Sequence, residues 1–272
     1  MSVVPEQSPV ADRDAILTFL RHITEDWQDL GEAAVIELRC LMPDRSPHVA
    51  RYSPDEDGFA MLADDALGLN ATKLNCYVVV NPVRASAPLR RDGKLSGAMD
   101  EDIIGAFFFW ADGDDENAAL SIKNFAGPKW TMAVTTGRVP TPRPHIYWRI
   151  EDGPVRNLPA WTEIQKAIAN RLSTDRTVVN PARIMRLPGT INWPTDKKAA
   201  KGRIPEVATL RTDYDDDRSP VTFEQMRRAF GGFQDAPPPP GSGIAIDTGP
   251  RPLDRERARI QALSGEEWHN AV

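Results

Sequence analysis

Apolar positions fall into two rhythms, helical steps of three and four residues and short unbroken runs, which interleave from the N-terminus to about residue 233. Between Asp14 and Leu30, the residues Ile16, Phe19, Leu20, Ile23, Trp27 and Leu30 recur at helical spacing, as in an amphipathic helix laid on a core. Residues 33–41 predict a strand, 49–52 a second and 59–69 a helix, while the nearly all-apolar run 74–80 predicts a strand buried on both faces and ended by Asn81-Pro82. Next come a strand over 104–112, a helix opening near Asp115 and running to about Phe125, and strands over 131–136 and 145–150 joined by the Pro-rich basic turn 137–144. Trp161, Ile164, Ile168 and Leu172 mark another helix; a strand over 205–210 and a helix over 223–230 complete the series. This interleaving predicts an α/β (α+β) fold with a mixed sheet.

Past Phe233 the patterning stops. Asp235-Ala-Pro-Pro-Pro-Pro-Gly-Ser-Gly is stiff and then flexible, with nothing to bury. The expected organisation is therefore one domain over 1–233, a Pro/Gly-rich linker over 234–250, and the start of a truncated C-terminal helical region over 251–272. With 272 residues and 41% hydrophobic content, the chain can build a sizeable core. No apolar run approaches the length of a membrane span, and residues 1–25 lack the basic start and apolar middle of a signal peptide, so a soluble, cytoplasmic protein is expected. Cys40 and Cys76 sit in apolar runs without a second ligand at metal spacing, and read as reduced core thiols.

The formal net charge of −6 argues against coating nucleic acid through a basic surface. A local basic channel is still compatible with it. Between 183 and 203 lie Arg183, Arg186, Lys197, Lys198, Lys201 and Arg203 against the single acid Asp196, and a smaller cluster holds Arg84, Arg90, Arg91 and Lys94. Beside an acidic site such residues would focus a positive field on phosphates.

The run Phe107-Phe-Phe-Trp-Ala-Asp112-Gly-Asp114-Asp-Glu116 delivers two carboxylates, one residue apart, where a buried strand ends. On a strand both would point into one volume, where like charges repel unless a cation such as Mg2+ or Mn2+ lies between them. Asp115 alternates away, and Glu116 suits the first turn of a helix. Downstream come Pro144-His145-Ile-Tyr147-Trp148-Arg149, read as a strand with a histidine near its start, then Asp175, then Arg183-Ile-Met-Arg186-Leu-Pro188-Gly189-Thr190-Ile-Asn192. Tyr147 and Trp148 read as core residues more than as base-stacking platforms.

That order resembles the three motifs of the archaeo-eukaryotic primase superfamily, most closely the replicative primase-polymerases of plasmids, phages and prophages. The resemblance covers roughly residues 75–210; Arg-Leu-Pro-Gly-Thr with its upstream Asp is the most specific piece and Asp-x-Asp the least. It implies an RRM-like catalytic part and two-metal nucleotidyl transfer, in which a 3′ oxygen attacks the α-phosphate of a dNTP or NTP on a single-stranded DNA template. It also implies a helicase or helical domain beyond the catalytic part. Asp112, Asp114 and Asp175 are then the catalytic metal ligands, although Asn180 stands where many relatives carry another acid. His145, Arg183, Arg186 and Asn192 become nucleotide-binding residues. Arg143, Lys197 and Lys198 become nucleic-acid contacts, and Pro188-Gly189-Thr190 a tight turn bringing backbone close to the ligand. The Pro at 144, without the serine usual before this His, departs from the pattern.

Three other readings compete. A rolling-circle initiator needs paired histidines and a nucleophilic tyrosine, and the four histidines form no His-x-His. A degenerate single-stranded DNA-binding module has no use for acids beside phosphate. A metal-dependent nuclease shares the two-metal chemistry.

Overall fold

The computed structural model describes residues 8–42, 45–88, 97–212 and 219–231. The linker 234–250, the segment 251–272 and Arg90, Arg91 and Lys94 lie outside the described residues. In chain order the elements are α1 (Arg13–Thr24), β1 (Ala34–Met42), β2 (Arg45–Tyr52), α2 (Glu56–Ala71), β3 (Asn75–Val79), β4 (Val83–Arg84), β5 (Phe108–Asp112) and α3 (Glu116–Lys123). They continue with β6 (Met132–Thr135), β7 (Pro144–Arg149), α4 (Leu158–Arg171), β8 (Ile184–Arg186), β9 (Ile191–Asn192), α5 (Asp196–Ala199), β10 (Glu206–Val207), β11 (Thr209–Arg211) and α6 (Phe223–Phe230).

Two sheets organise the core. One runs β2-β1-β3-β8 with β4 also on β1; the other runs β11-β6-β7-β5; β9 and β10 form a separate ribbon. The class is α+β as expected, and every ladder is antiparallel. Among the described residues the parallel contact is confined to the isolated bridge Ile150–Val221. The strand expected over 104–112 forms a ladder only from Phe108, because the preceding residues bond elsewhere: Ile104 N to Pro82 O at 3.1 Å and Ala106 N to Val155 O at 3.1 Å. The strand expected over 205–210 divides at Ala208, whose N–H and C=O turn instead to Thr190 O (2.9 Å) and Gly189 N (2.7 Å).

The apolar face read for α1 is the buried one: Ile16, Phe19, Leu20 and Ile23 are enclosed, as are Trp27 and Leu30 beyond it. Asp12 caps the helix by accepting from Ala15 N at 3.1 Å. Strand β5 stands at the edge of its sheet and would expose unpaired backbone. Helix α4 covers that edge: the Trp161 Nε1–H donates to Phe108 O at 3.0 Å, while Gln165 donates to Trp110 O at 2.7 Å and accepts from Trp110 N at 3.3 Å. Phe109 stacks on Trp161 at 5.7 Å between centroids. Tyr147 and Trp148 are fully buried, so neither offers a face to a base. Cys40 and Cys76 are buried free thiols facing each other across β1 and β3. Among the described residues no helix is long and apolar enough to cross a membrane.

Candidate active site

Buried aromatic residues fix β5 along its length, and the strand ends where the two sheets leave a small polar cleft. Asp112 is the last residue of β5 and pairs in register with His145 of β7. Asp114 follows, its side chain half-exposed. Asp115 turns away to cap α3, accepting from Ala118 N at 2.8 Å, and Glu116 opens that helix. Neither lines the cleft.

The facing wall comes from the other sheet. Tyr77 on β3 and Arg186 on β8 are register partners, and the Arg186 guanidinium lies 4.2 Å over the Tyr77 ring. It donates to Asn75 Oδ1 (2.7 Å), Tyr77 OH (2.7 Å) and Asn192 Oδ1 (2.9 Å), and Asn192 in turn donates to Thr136 O at 2.8 Å. This chain of bonds ties the β8–β9 segment to the end of β6. Arg183 differs: its Nε and Nη2 are buried and have no partner. Burial pushes its guanidinium below its ordinary pKa against the pull of Asp112 and Asp175. Open donors on a buried cation are costly unless a ligand oxygen fills them.

Electrostatics reinforce that reading. Arg183, Arg186, Lys198 and Arg203 outnumber the Asp112 and Asp114 carboxylates that share the cleft, so an acidic protein carries a positive pocket. Burial acts to raise the Asp112 carboxyl, but His145, Arg183 and Lys198 outweigh it and hold the group below the usual value. For Lys198 burial wins, and its ammonium lies below its ordinary value despite Asp114.

Among solved structures the chain is similar to the AEP domain of the cyanophage S-2L primase-polymerase, with 22% identity and a TM-score of 0.53 over 82% of this chain and 100% of that one. It is also similar to the catalytic domain of primase RepB′ in complex with initiator DNA, with 12% identity and a TM-score of 0.50 over 80% of this chain and 94% of that one. The chain has the primase-polymerase fold. No protein-family model matches it. No curated protein matches it either.

Of the residues expected from sequence, the primase-polymerase fold brings Asp112, Asp114, His145, Arg183, Arg186, Asn192 and Lys198 together around one cleft. The remainder stand elsewhere. Asp175 N donates to Asp112 O at 3.4 Å, but the Asp175 carboxylate accepts from Thr177 N and Oγ1, both at 2.8 Å. Arg143 is buried, giving its guanidinium to Val139 O (2.6 Å), Thr141 O (3.1 Å) and Glu206 Oε2 (3.0 Å); it staples the 137–142 loop and stands outside the cleft lining. Lys197 is exposed on α5, outside the cleft lining. Asn180 is tied to Asp100 Oδ1 at 2.9 Å. Arg84 pairs with Glu32 at 2.9 Å on the surface.

At Gly189 φ is +81°, and a Cβ there would stand 2.1 Å from Asp12 O and 2.8 Å from Ile16 Cγ1. The close approach that requires glycine at this turn is to α1.

Two hard-oxygen carboxylates facing one pocket suit Mg2+ or Mn2+, which take one or two protein carboxylates and complete their shells with water and substrate phosphate. Among the described residues no group of three His, Cys, Asp or Glu is gathered at ligand distance. Asp112 and Asp114 would therefore be the holding pair. Sequence reasoning missed Tyr77 and Thr136 and gave Arg203 no role beyond its place in a basic run. Arg203 Nη2 donates to Asp114 Oδ2 at 3.0 Å and Asp114 O at 3.1 Å.

Proposed function

We propose that this domain is a DNA primase-polymerase: it transfers nucleotides to a primer or initiating nucleotide on a single-stranded DNA template, in the replication of a phage or plasmid. The observation that carries the reading is the pairing, in one cleft of this fold, of a carboxylate couple with an excess of cations that includes an unpartnered buried arginine. That combination suits a cation–triphosphate complex and suits neither a neutral ligand nor bare nucleic acid. The neighbour solved with initiator DNA supports a DNA partner.

In this reading Asp112 and Asp114 would hold Mg2+ or Mn2+, which would supply activation of the attacking oxygen and charge relief on the leaving pyrophosphate. Arg183 offers its open donors to triphosphate oxygens. His145, whose Nε2 now faces Asp112, would offer its Nε2–H to a phosphate oxygen. Arg186 holds Tyr77 and Asn192 in place and so shapes the nucleotide seat. Asp175 is the proposed third acid, which requires its carboxylate to leave Thr177. Lys197 and Lys198 are the proposed template contacts.

The test is extension of a primed single-stranded template by the chain and by an Asp112→Ala/Asp114→Ala variant, with Mn2+ or Mg2+ and with dNTPs or NTPs in separate reactions. Extension that the variant loses is the expected result. An intact template without extension overturns the reading, and template degradation assigns the cleft to a nuclease.

A further inference from the structure

We propose that Arg203 is a phosphate-binding residue parked on Asp114, so that the cleft is latched against divalent cations until a triphosphate arrives to take the guanidinium. The inference rests on the nucleotidyl-transfer reading and assigns that site a residue its motifs do not contain.

Arg203 belongs to the segment 193–205, which leaves the two-stranded ribbon at β9 and returns to it at β10. The two strands are register partners through Asn192 with Glu206 and Ile191 with Val207, so the segment is a protrusion clamped at its base. Along it Thr195 caps α5, and Gly202, at φ +84°, reverses the chain. Lys201 and Ile204 stay exposed on either side of that turn, while the Arg203 side chain is only 15% exposed and reaches back over the carboxylates. Its Nη2 engages both the carboxylate and the backbone oxygen of Asp114, which makes the seat geometrically specific and not a passing surface pair.

The oxygen so occupied is one of those a divalent cation would use. A divalent cation on the Asp114 carboxylate would repel the guanidinium seated on Oδ2 and draw on the same negative charge, so binding of the ion loosens the guanidinium. The loosened group is then a cation in a pocket already holding Arg183, Arg186 and Lys198. Its available counter-charge is the polyphosphate that accompanies the ion, whose oxygens match a guanidinium fork better than a single carboxylate does. Arg203 thus opposes the naked ion and favours the ion with its nucleotide, a coupling that must appear reciprocally in both affinities.

The experiment is calorimetric titration of the full chain with Mn2+, alone and then with dATP present but no primer, comparing wild type, Arg203→Gln, Lys201→Gln and Asp112→Ala/Asp114→Ala. Lys201→Gln removes the same charge from the outer face of the protrusion. Arg203→Gln is expected to bind Mn2+ alone about fivefold more tightly, the equivalent of about 1 kcal/mol, and to bind dATP in Mn2+ several-fold more weakly, while Lys201→Gln changes neither beyond about twofold. Mn2+ binding that requires Asp112 and Asp114 but is unmoved or weakened in Arg203→Gln, or equal shifts in the two charge variants, overturns the latch and leaves the nucleotidyl-transfer reading standing. Mn2+ binding indifferent to Asp112 and Asp114 overturns both.

Discussion

The Nε2 of His145 stands 3.2 Å from Oδ1 of Asp112, across the last register pair of β5 and β7. The other nitrogen, Nδ1, is buried without a partner. The imidazole is thus oriented by the carboxylate and by packing alone, and is free to be handed from Asp112 to a phosphate. His145→Ala is expected to lower kcat/KM for the incoming nucleotide ~10²-fold, about 3 kcal/mol of transition-state stabilisation, with most of the loss in KM. Steady-state extension at varied nucleotide checks it, with melting temperature as the control. A loss of activity that merely tracks a loss of stability would assign His145 to packing.

Gly189 makes the motif turn a structural joint. It accepts from Asp12 N at 2.7 Å, donates to Ala208 O at 2.7 Å, and has no room for a Cβ. Gly189→Ala combines a disfavoured φ with a clash against α1, and should cost about 3 kcal/mol. Urea denaturation reads the effect; a change below 1 kcal/mol would show that α1 can lift away without penalty.

Much of this was legible in the sequence, and the failures have physical causes. Helices α1, α4 and α6 declared themselves because an amphipathic face must recur at helical spacing, β5 because a strand buried on both faces is continuously apolar, and β3 because its run is nearly so, although Asn75 and Tyr77 turn out to be half-buried. The short strands β4, β8 and β9 were not legible, since two or three residues carry no periodicity and form only where a long-range partner exists. The same limit explains the site. Asp112, His145 and the arginines sit in local patterns, whereas Tyr77 owes its place to its pairing with Arg186 and Arg203 to a ribbon closed by Asn192 and Glu206. The burial of Arg143 was not legible either, because its guanidinium bonds the carbonyls of its own loop and Glu206, a contact from a distant ribbon.

Cys40 and Cys76 lie opposite each other with their sulfurs 3.2 Å apart and no exposed surface. The hydrogen bond to Cys76 and then burial push the Cys40 thiol far above its ordinary pKa. A raised thiol pKa means that the thiolate, the reactive form, is absent at neutral and mildly alkaline pH. Both side chains are also closed off from solvent, so at pH 8 a thiol reagent in excess should label neither residue faster than the chain unfolds globally. Rapid labelling of two equivalents in native buffer would place the thiols at a surface and sink the assignment of both to the core.

Gln165 holds the carboxylate end of β5 from outside the cleft. From α4 it supplies both a donor and an acceptor to Trp110, giving an edge strand the partners that a neighbouring strand would otherwise provide. Trp110 is two residues from Asp112, so whatever loosens the edge there loosens the carboxylate. Gln165→Leu keeps the volume and leaves a buried N–H and C=O unpaired, a loss of about 2–4 kcal/mol. Asp112 should also lose its fixed approach to His145, so that extension falls at temperatures where the variant is still folded. Thermal melts and extension assays on the same preparation separate the two effects. Full activity in a destabilised variant would mean that β7, through the Asp112–His145 pairing, holds the carboxylate without help from α4.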